Sequence, residues 1–334
     1  MTRRLHSSRV RPLRVVHCPV NMGSIGWTNV QALRRKGVDA RLVLFEPRKL
    51  RPYEVDVTLD LPPLPNENGR ATWMHPTFWQ RQGKQFAALA RFLPTTDVFH
   101  FYFGLTLVPK AIQFPALKAF GRKSVFHFLG SDIRRKTREE LAYAWRADAR
   151  IVGSYDAKRW VPDAHVVPVG IDLARYEPVP ARDTDRVRIV HAPTNRRAKA
   201  TDAVIAACEQ LPVDLDIVEN VRHDQALERF READIFVDQF NAGWHGVFAI
   251  EGMALGKPIV GHIRDEPREQ TEAAFGAGLP IWRATKETLA ERLKPLIASK
   301  EERQRLGTEG RAYVEHVHDG DKVAERLLEI YEGL

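Results

Sequence analysis

Short apolar runs alternate with stretches of helical spacing along this chain. The first repeat is a valine-rich run at residues 13–19, a glycine-bearing turn at 21–26 and an amphipathic stretch at 27–36, with Gly37 placed to end the helix. Another apolar run, at 40–45, follows directly. Strands joined through a helix pair in parallel, so this pattern predicts an α/β protein built on parallel sheets.

There are two such series, one before and one after a charged segment with two prolines at residues 177–188. Before it, we predict strands at 13–19, 40–45, 97–102, 123–128, 151–153 and 166–168, helices at 27–36, 77–93 and 109–120, and irregular structure at 47–76. After it, we predict strands at 187–192, 214–218, 234–238 and 258–261, a loop at 193–200, and helices at 201–210 (capped by Thr201), 224–233, 248–255 and most of 300–331. An exposed linker between two similar series predicts two doubly wound domains, residues 1–180 and 181–334, that face a cleft.

Charge and cysteine content limit the partners and the compartment. The 334 residues carry a formal net charge of +8, which favours an anionic partner such as nucleic acid, a phosphorylated metabolite or an anionic membrane face. The alternative is a genome that prefers Arg codons. Cys18 and Cys208 lie in apolar surroundings without disulfide or zinc-site spacing, so we expect two buried free thiols.

Residues 1–14 are basic but lack the apolar stretch of a signal peptide, and no apolar run is long enough to span a membrane. We expect a cytoplasmic protein, with peripheral contact to the inner membrane face left open.

Residues 243–260 combine a glycine-bearing loop with the start of a helix. Backbone N–H groups at a helix N-terminus point toward an anion, and the helix dipole favours negative charge there. Glu251 would lie about one turn into this helix, where a carboxylate can accept from two hydroxyls of a ribose. The alternative is an ordinary buried loop and helix with Glu251 as a solvated charge.

Five segments, in the same order, resemble motifs of the retaining glycosyltransferases of the GT-B fold, specifically family 4. Residues 251–260, EGMALGKPIV, resemble the donor-nucleotide motif of that family. The other segments are the glycine loop with Gly23, Ser24 and Gly26, HFLGSDIR at 127–134, VPVGID at 167–172, and the basic residues at 196–199. The similarity covers roughly residues 12–333 and implies the GT-B fold, two Rossmann-like domains that face a cleft.

The resemblance implies how a nucleotide-diphospho-sugar is held. Glu251 would bind the donor ribose, and the backbone N–H groups of Gly246 and Val247 would face the diphosphate. Lys199 would neutralise the diphosphate as it leaves, and preorganised cations can do this without a metal ion.

A second cation for the diphosphate comes from Arg196 or Arg197. The arginine of the family lies five residues before its lysine, and that position is Thr194 here, so the choice between the two stays open.

The sequence departs from the family pattern near the sugar and the acceptor. Gly243 stands where the family has the first Glu of a pair, and His245 close by is a candidate contact to the donor sugar or else a loop residue. Leu129 stands where the family has a histidine. His127, two residues earlier, can project the same way from a strand, so His127 and Asp132 are candidate catalytic residues, with a core histidine as the alternative for His127.

We therefore expect a metal-independent, retaining hexosyltransferase that moves a sugar from a nucleotide-diphospho-sugar, such as a UDP-sugar, to a saccharide, lipid-linked or small-molecule acceptor. No cofactor and no nucleic-acid partner are expected. A non-catalytic nucleotide-sugar-binding protein, or a nucleotide-sugar epimerase, of the same fold is the alternative.

Two patterns resemble metal sites. Asp214 and Asp216 form a DxD pattern inside a predicted strand, and His316 and His318 lie two apart on a predicted helix, so we expect neither pair to hold a metal.

Overall fold

The structure is a computed structural model that describes residues 11–46, 50, 53–63, 73 and 75–334. Most of the basic N-terminal segment, at 1–10, lies outside the described residues. So does much of the segment predicted to be irregular, at 47–49, 51–52, 64–72 and 74.

Seven parallel strands form the first sheet, in the order β3-β2-β1-β4-β5-β6-β7. The strands are β1 Arg14–Cys18, β2 Asp39–Leu44, β3 Val57–Thr58, β4 Val98–Tyr102, β5 Lys123–Phe128, β6 Ala149–Val152 and β7 His165–Val166. The helices among them are α1 Ile25–Arg35, α2 Pro76–Phe92 and α3 Lys110–Ala119. Every residue of β4 is buried, as expected for a central parallel strand covered on both faces.

Five parallel strands form the second sheet, in the order β12-β11-β10-β8-β9. The strands are β8 Val187–His191, β9 Val213–Ile217, β10 Ile235–Val237, β11 Ile259–Gly261 and β12 Ile281–Arg283. The helices are α4 Arg196–Lys199, α5 Thr201–Cys208, α6 His223–Glu232, α7 Val247–Ala254, α8 Asp265–Phe275, α9 Leu289–Ala298, α10 Lys300–Val317 and α11 Gly320–Glu332.

The last helix returns to the first sheet. In α11, Val323, Leu327 and Tyr331 are buried in the same core cluster as Val30 and Leu33 of α1. The apolar face of α11 therefore completes the core of the first half of the chain, although α10, directly before it, packs against α7 of the second half.

Three local predictions were wrong. The segment predicted to be irregular contains β3, which pairs with β2. The predicted loop at 193–200 contains α4, because the side chain of Asn195 accepts a hydrogen bond from the Ala198 N–H at 2.9 Å and caps one short turn. Thr201 does not cap α5: Ala200, in the left-handed region at φ 60°, precedes the helix, and the Thr201 hydroxyl lies 2.9 Å from His191 Nε2 instead.

Other expectations were confirmed. Gly37 follows α1 with φ at +81°, a conformation that favours glycine at this position. Cys18 and Cys208 are both buried and unpaired. Within the described part of the chain, every helix is too short or too polar to cross a bilayer.

Candidate active site

A cleft of about 590 Å³ lies between the two sheets. Its walls come from the loops that follow the strands of both sheets, including residues 21–23, 153–154, 192–196 and 218–221. The carboxyl ends of parallel strands are the usual ligand-binding edge of an open α/β sheet. This cleft is therefore where both sheets present their binding edges to one ligand.

The glycine loop after β1 touches the second domain. Gly23 lines the cleft and has φ at +57°, and a Cβ there would lie 3.3 Å from Cγ2 of Val247. Both the backbone conformation and the close approach favour glycine. Ser24 and Gly26 do not line the cleft; Ser24 is buried, and a Cβ on Gly26 would lie 3.2 Å from Cδ1 of Leu42.

A buried lysine lies at the N-terminus of α7. Lys199 Nζ is 2.5 Å from Asp238 Oδ1, and Asp238 Oδ2 accepts the N–H of Gly246 at 2.7 Å. Asp238 thus fixes both a cation and the residue that precedes the helix. An ammonium group has three donors, so this pair leaves Lys199 able to bind a further anion.

The first N–H of α7 is open to a ligand. Val247 begins the helix and lines the cleft, and no group in the described residues accepts its N–H. The Gly246 N–H, by contrast, is donated to Asp238. Of the two N–H groups predicted to face a diphosphate, Val247 is the one that a ligand can reach without displacing Asp238.

The two candidate arginines lie in different places. Arg196 lines the cleft and pairs with Glu219 through Nη2 at 2.7 Å, and the guanidinium lowers the pKa of that carboxyl. Arg197 is exposed and is not part of the cleft wall. The geometry therefore brings Arg196 to the cleft, as an exposed pair whose carboxylate partner can be exchanged for another anion.

Glu251 is buried in the cleft wall, about one turn into α7. Its Oε1 accepts from the Tyr176 hydroxyl at 3.0 Å and from His223 Nε2 at 2.8 Å. His223 begins α6, and its Nδ1 lies 3.5 Å from the Tyr53 hydroxyl. Sequence reasoning missed Tyr176, His223 and Asp238, since nothing in their spacing links them to Glu251 or Lys199.

The turn after β9 lines the cleft beside Glu251. In this turn Asn220 adopts a φ of 53°. Asparagine tolerates the left-handed region better than most residues, so this backbone conformation is reached with a side chain present.

His127 lies in the core of the first sheet and does not line the cleft. It belongs to a buried polar group, here called the histidine cluster, made of His17, His100, His127, Tyr102 and Tyr331. His100 links to His127 at 3.1 Å and to the Tyr331 hydroxyl of α11 at 2.6 Å. Burial lowers the pKa of both His17 and His127 to about 3, so these rings are neutral at neutral pH.

Asp132 is buried behind the cleft wall. Its Oδ1 accepts the Leu129 N–H at 3.0 Å, while Oδ2 has no partner among the described residues. Burial raises the pKa of this carboxyl to about 6. The neighbouring residues Leu129 and Ser131 line the cleft in its place.

Gly243 has no room for a side chain. Its φ is +70°, and a Cβ there would lie 2.9 Å from both Cγ and Cδ of Arg264. Arg264 also forms an ion pair with Asp156 of the first domain, which binds Arg134 as well. A carboxylate at position 243 would therefore require Arg264 to move and a strained backbone.

His245 lines the cleft next to this loop. Burial lowers its pKa to about 4, and its Nδ1 has no partner in the described residues.

Asp214 and Asp216 do not form a site: they are paired separately with Arg186 and Arg229 along β9.

No protein-family profile matches the sequence, and no curated protein does. Solved structures do match along almost the whole chain. Sucrose-phosphate synthase from Thermosynechococcus elongatus is 15% identical, with a TM-score of 0.69 over 97% of this chain and 98% of that one. The chain has the GT-B fold.

Two further solved structures also match along almost the whole chain. HepE from Anabaena, solved in complex with UDP and glucose, is 13% identical with a TM-score of 0.65 over 96% of this chain and 99% of that one. WaaG, a glycosyltransferase involved in lipopolysaccharide biosynthesis, is 13% identical with a TM-score of 0.59 over 96% and 100%. At these identities the likeness establishes the fold, which the sequence motifs had predicted.

Proposed function

We propose that this protein is a retaining, metal-independent glycosyltransferase of the family 4 type that uses a UDP-sugar. One observation carries the proposal. The ammonium of Lys199, which α4 brings beside Gly246, the open N–H of Val247 and the carboxylate of Glu251 one turn into α7 line a single cleft in this order from the start of α7. That order matches the order of diphosphate and ribose in a nucleotide-sugar.

Departure of the nucleotide diphosphate is the step that these groups would assist. The leaving group gains negative charge, which Lys199 and the N-terminus of α7 would stabilise in a site shielded from water. Arg196 would exchange Glu219 for the diphosphate, since an exposed ion pair holds its partners weakly. These cations are the reason for proposing that no metal ion is needed.

The acceptor would enter from the first domain, opposite the donor. Contact between Gly23 and Val247 supports a closed arrangement, which would exclude water from the reacting sugar. In the retaining mechanism implied by the family resemblance, the departing phosphate helps to remove the proton of the acceptor hydroxyl. A saccharide, lipid-linked or small-molecule acceptor, a cytoplasmic location and peripheral membrane contact remain predictions.

Binding and turnover of nucleotides test this proposal. We expect UDP and UDP-sugars to raise the melting temperature, and Lys199→Ala and Glu251→Ala each to weaken binding or turnover at least about tenfold, or about 1.4 kcal/mol. Arg196→Ala should weaken binding several-fold, whereas the matched variant Arg197→Ala should not. Unchanged kinetics in both Lys199→Ala and Glu251→Ala would sink the site assignment, and loss of activity in EDTA would refute metal independence.

Gly243 supports a second candidate, a nucleotide-sugar-binding protein without turnover. Position 243 carries no carboxylate for the donor sugar, and Arg264 packs against it. Donor hydrolysis and transfer to a broad acceptor panel separate the two: binding without either reaction favours the second candidate. Analysis of the donor sugar after incubation without acceptor reveals an epimerase.

A further inference from the structure

His318 is a buried histidine in the wall of the cleft. It lies between α10 and α11, where the chain returns to the first domain. Its Nδ1 is 2.8 Å from the carbonyl oxygen of Val169. A carbonyl oxygen only accepts, so Nδ1 carries the proton. This contact fixes the tautomer of the ring.

The other ring nitrogen of His318 is a buried acceptor. Burial lowers the pKa of His318 to about 3, so the ring is neutral at neutral pH and Nε2 presents a lone pair. Nε2 has no hydrogen-bond partner among the described residues. Buried polar atoms are nearly always paired, so an unpaired acceptor in a cleft wall is a candidate partner for a donor on a water or a ligand.

A second imidazole lies beside it. The rings of His245 and His318 meet edge to face with centroids 5.9 Å apart, and His245 Nδ1 also lacks a partner. His245 directly precedes Gly246, beside Lys199. The pair of imidazoles therefore lies next to the groups proposed to hold the diphosphate, where the sugar of a donor would begin.

Nearby carboxylates are already engaged. Asp238 binds Lys199 and the Gly246 N–H, and Asp156 binds two arginines. Position 243 has no side chain. The two neutral imidazoles are thus acceptors available to sugar hydroxyls at this place.

We infer that His318, together with His245, forms the donor-sugar subsite, and that its Nε2 accepts a hydrogen bond donated by a hydroxyl of an uncharged hexose. This inference rests on the proposed function. A neutral acceptor binds a hydroxyl, whereas its lone pair would face a carboxylate unfavourably, so a hexose is preferred over a uronic acid.

Two variants of His318 separate its two nitrogens. Asparagine can place a donor near Nδ1, which keeps the contact to Val169 but removes Nε2. Glutamine can place an acceptor near Nε2 but loses that contact. His316→Asn is the matched control, since His316 is exposed and its Nε2 contacts the carbonyl of Phe275. Titration calorimetry would measure the affinities of UDP, UDP-glucose and UDP-glucuronate for the full chain.

We expect His318→Asn to weaken UDP-glucose binding about fivefold or more, roughly 1 kcal/mol, with UDP affinity within about twofold of wild type. His318→Gln should keep most of the UDP-glucose affinity, His316→Asn should change neither, and wild type should prefer UDP-glucose to UDP-glucuronate. UDP binding by each variant also verifies that it is folded.

The inference is overturned if UDP-glucose affinity is unchanged in His318→Asn, if both His318 variants lose it equally, or if UDP-glucuronate binds as well as UDP-glucose. A wild-type protein that binds neither UDP nor UDP-glucose refutes the proposed donor site itself, which distinguishes the two failures.

Discussion

Asp238 is the carboxylate partner of Lys199, and replacing it by asparagine tests whether a diphosphate also compensates the charge of that lysine. Asp238→Asn keeps an oxygen for one hydrogen bond but leaves the lysine, whose side chain is 11% exposed, without a counter-ion. Breaking a buried ion pair by removing one partner costs roughly 3–5 kcal/mol, and we expect the lower end, since the amide remains polar. In a unit of about 150 residues this corresponds to a fall in melting temperature of about 6–12 °C.

A bound diphosphate should recover part of that loss. UDP brings negative charge to Lys199, so the rise in melting temperature on adding saturating UDP should be larger in Asp238→Asn than in wild type by several degrees, about half of the initial fall. Differential scanning fluorimetry with and without UDP measures both quantities.

Asp234 provides a matched control at the other end of β10, the strand that Asp238 follows. It also holds one cation, Arg182, and one backbone N–H, that of Arg188, but it is not part of the cleft wall. Asp234→Asn should lower the melting temperature without enlarging the response to UDP. Equal UDP responses in wild type and Asp238→Asn would refute the placement of the diphosphate at Lys199.

Three further predictions concern stability. The three histidines of the histidine cluster have lowered pKa values, so below pH 6.5 the unfolded chain binds more protons than the native one. The free energy of unfolding should therefore fall from pH 6.5 toward pH 4 by about 1.4 kcal/mol per pH unit for each of these rings. In urea unfolding, the free energy of unfolding of His127→Phe should depend less steeply on pH than that of wild type. Gly307→Ala should destabilise the protein by about 3 kcal/mol or more in urea unfolding, because its Cβ would lie far inside the van der Waals contact distance of the Gly256 carbonyl oxygen. Gly83→Ala, in open space on α2, should instead stabilise it by about 0.5–1 kcal/mol. Gly243→Glu should lower the melting temperature, and Arg264→Ala should relieve part of that loss in the double variant; additive effects would contradict the steric account.

The sequence by itself determined the parallel α/β architecture, most strand and helix positions and the motif that begins α7. These depend on local spacing: valine-rich runs, helical periodicity and a glycine loop before Glu251 are visible in one dimension. The same local reasoning could not detect β3 or α4. A two-residue strand is defined by its neighbour β2, and a four-residue helix depends on one cap, Asn195.

Tertiary structure decided which chemically suitable residues share a site. It brought Arg196 but not Arg197 to the cleft, placed His127 in the core, and brought in Asp238, Tyr176 and His318, which lie far apart along the chain. The physical reason is that side-chain partners are set by how two separate sheets and a returning helix pack. In the sequence, His318 is one of two histidines two residues apart, a spacing that does not favour a metal site. Only the tertiary structure shows that Val169 fixes its tautomer and that Nε2 is buried without a partner among the described residues.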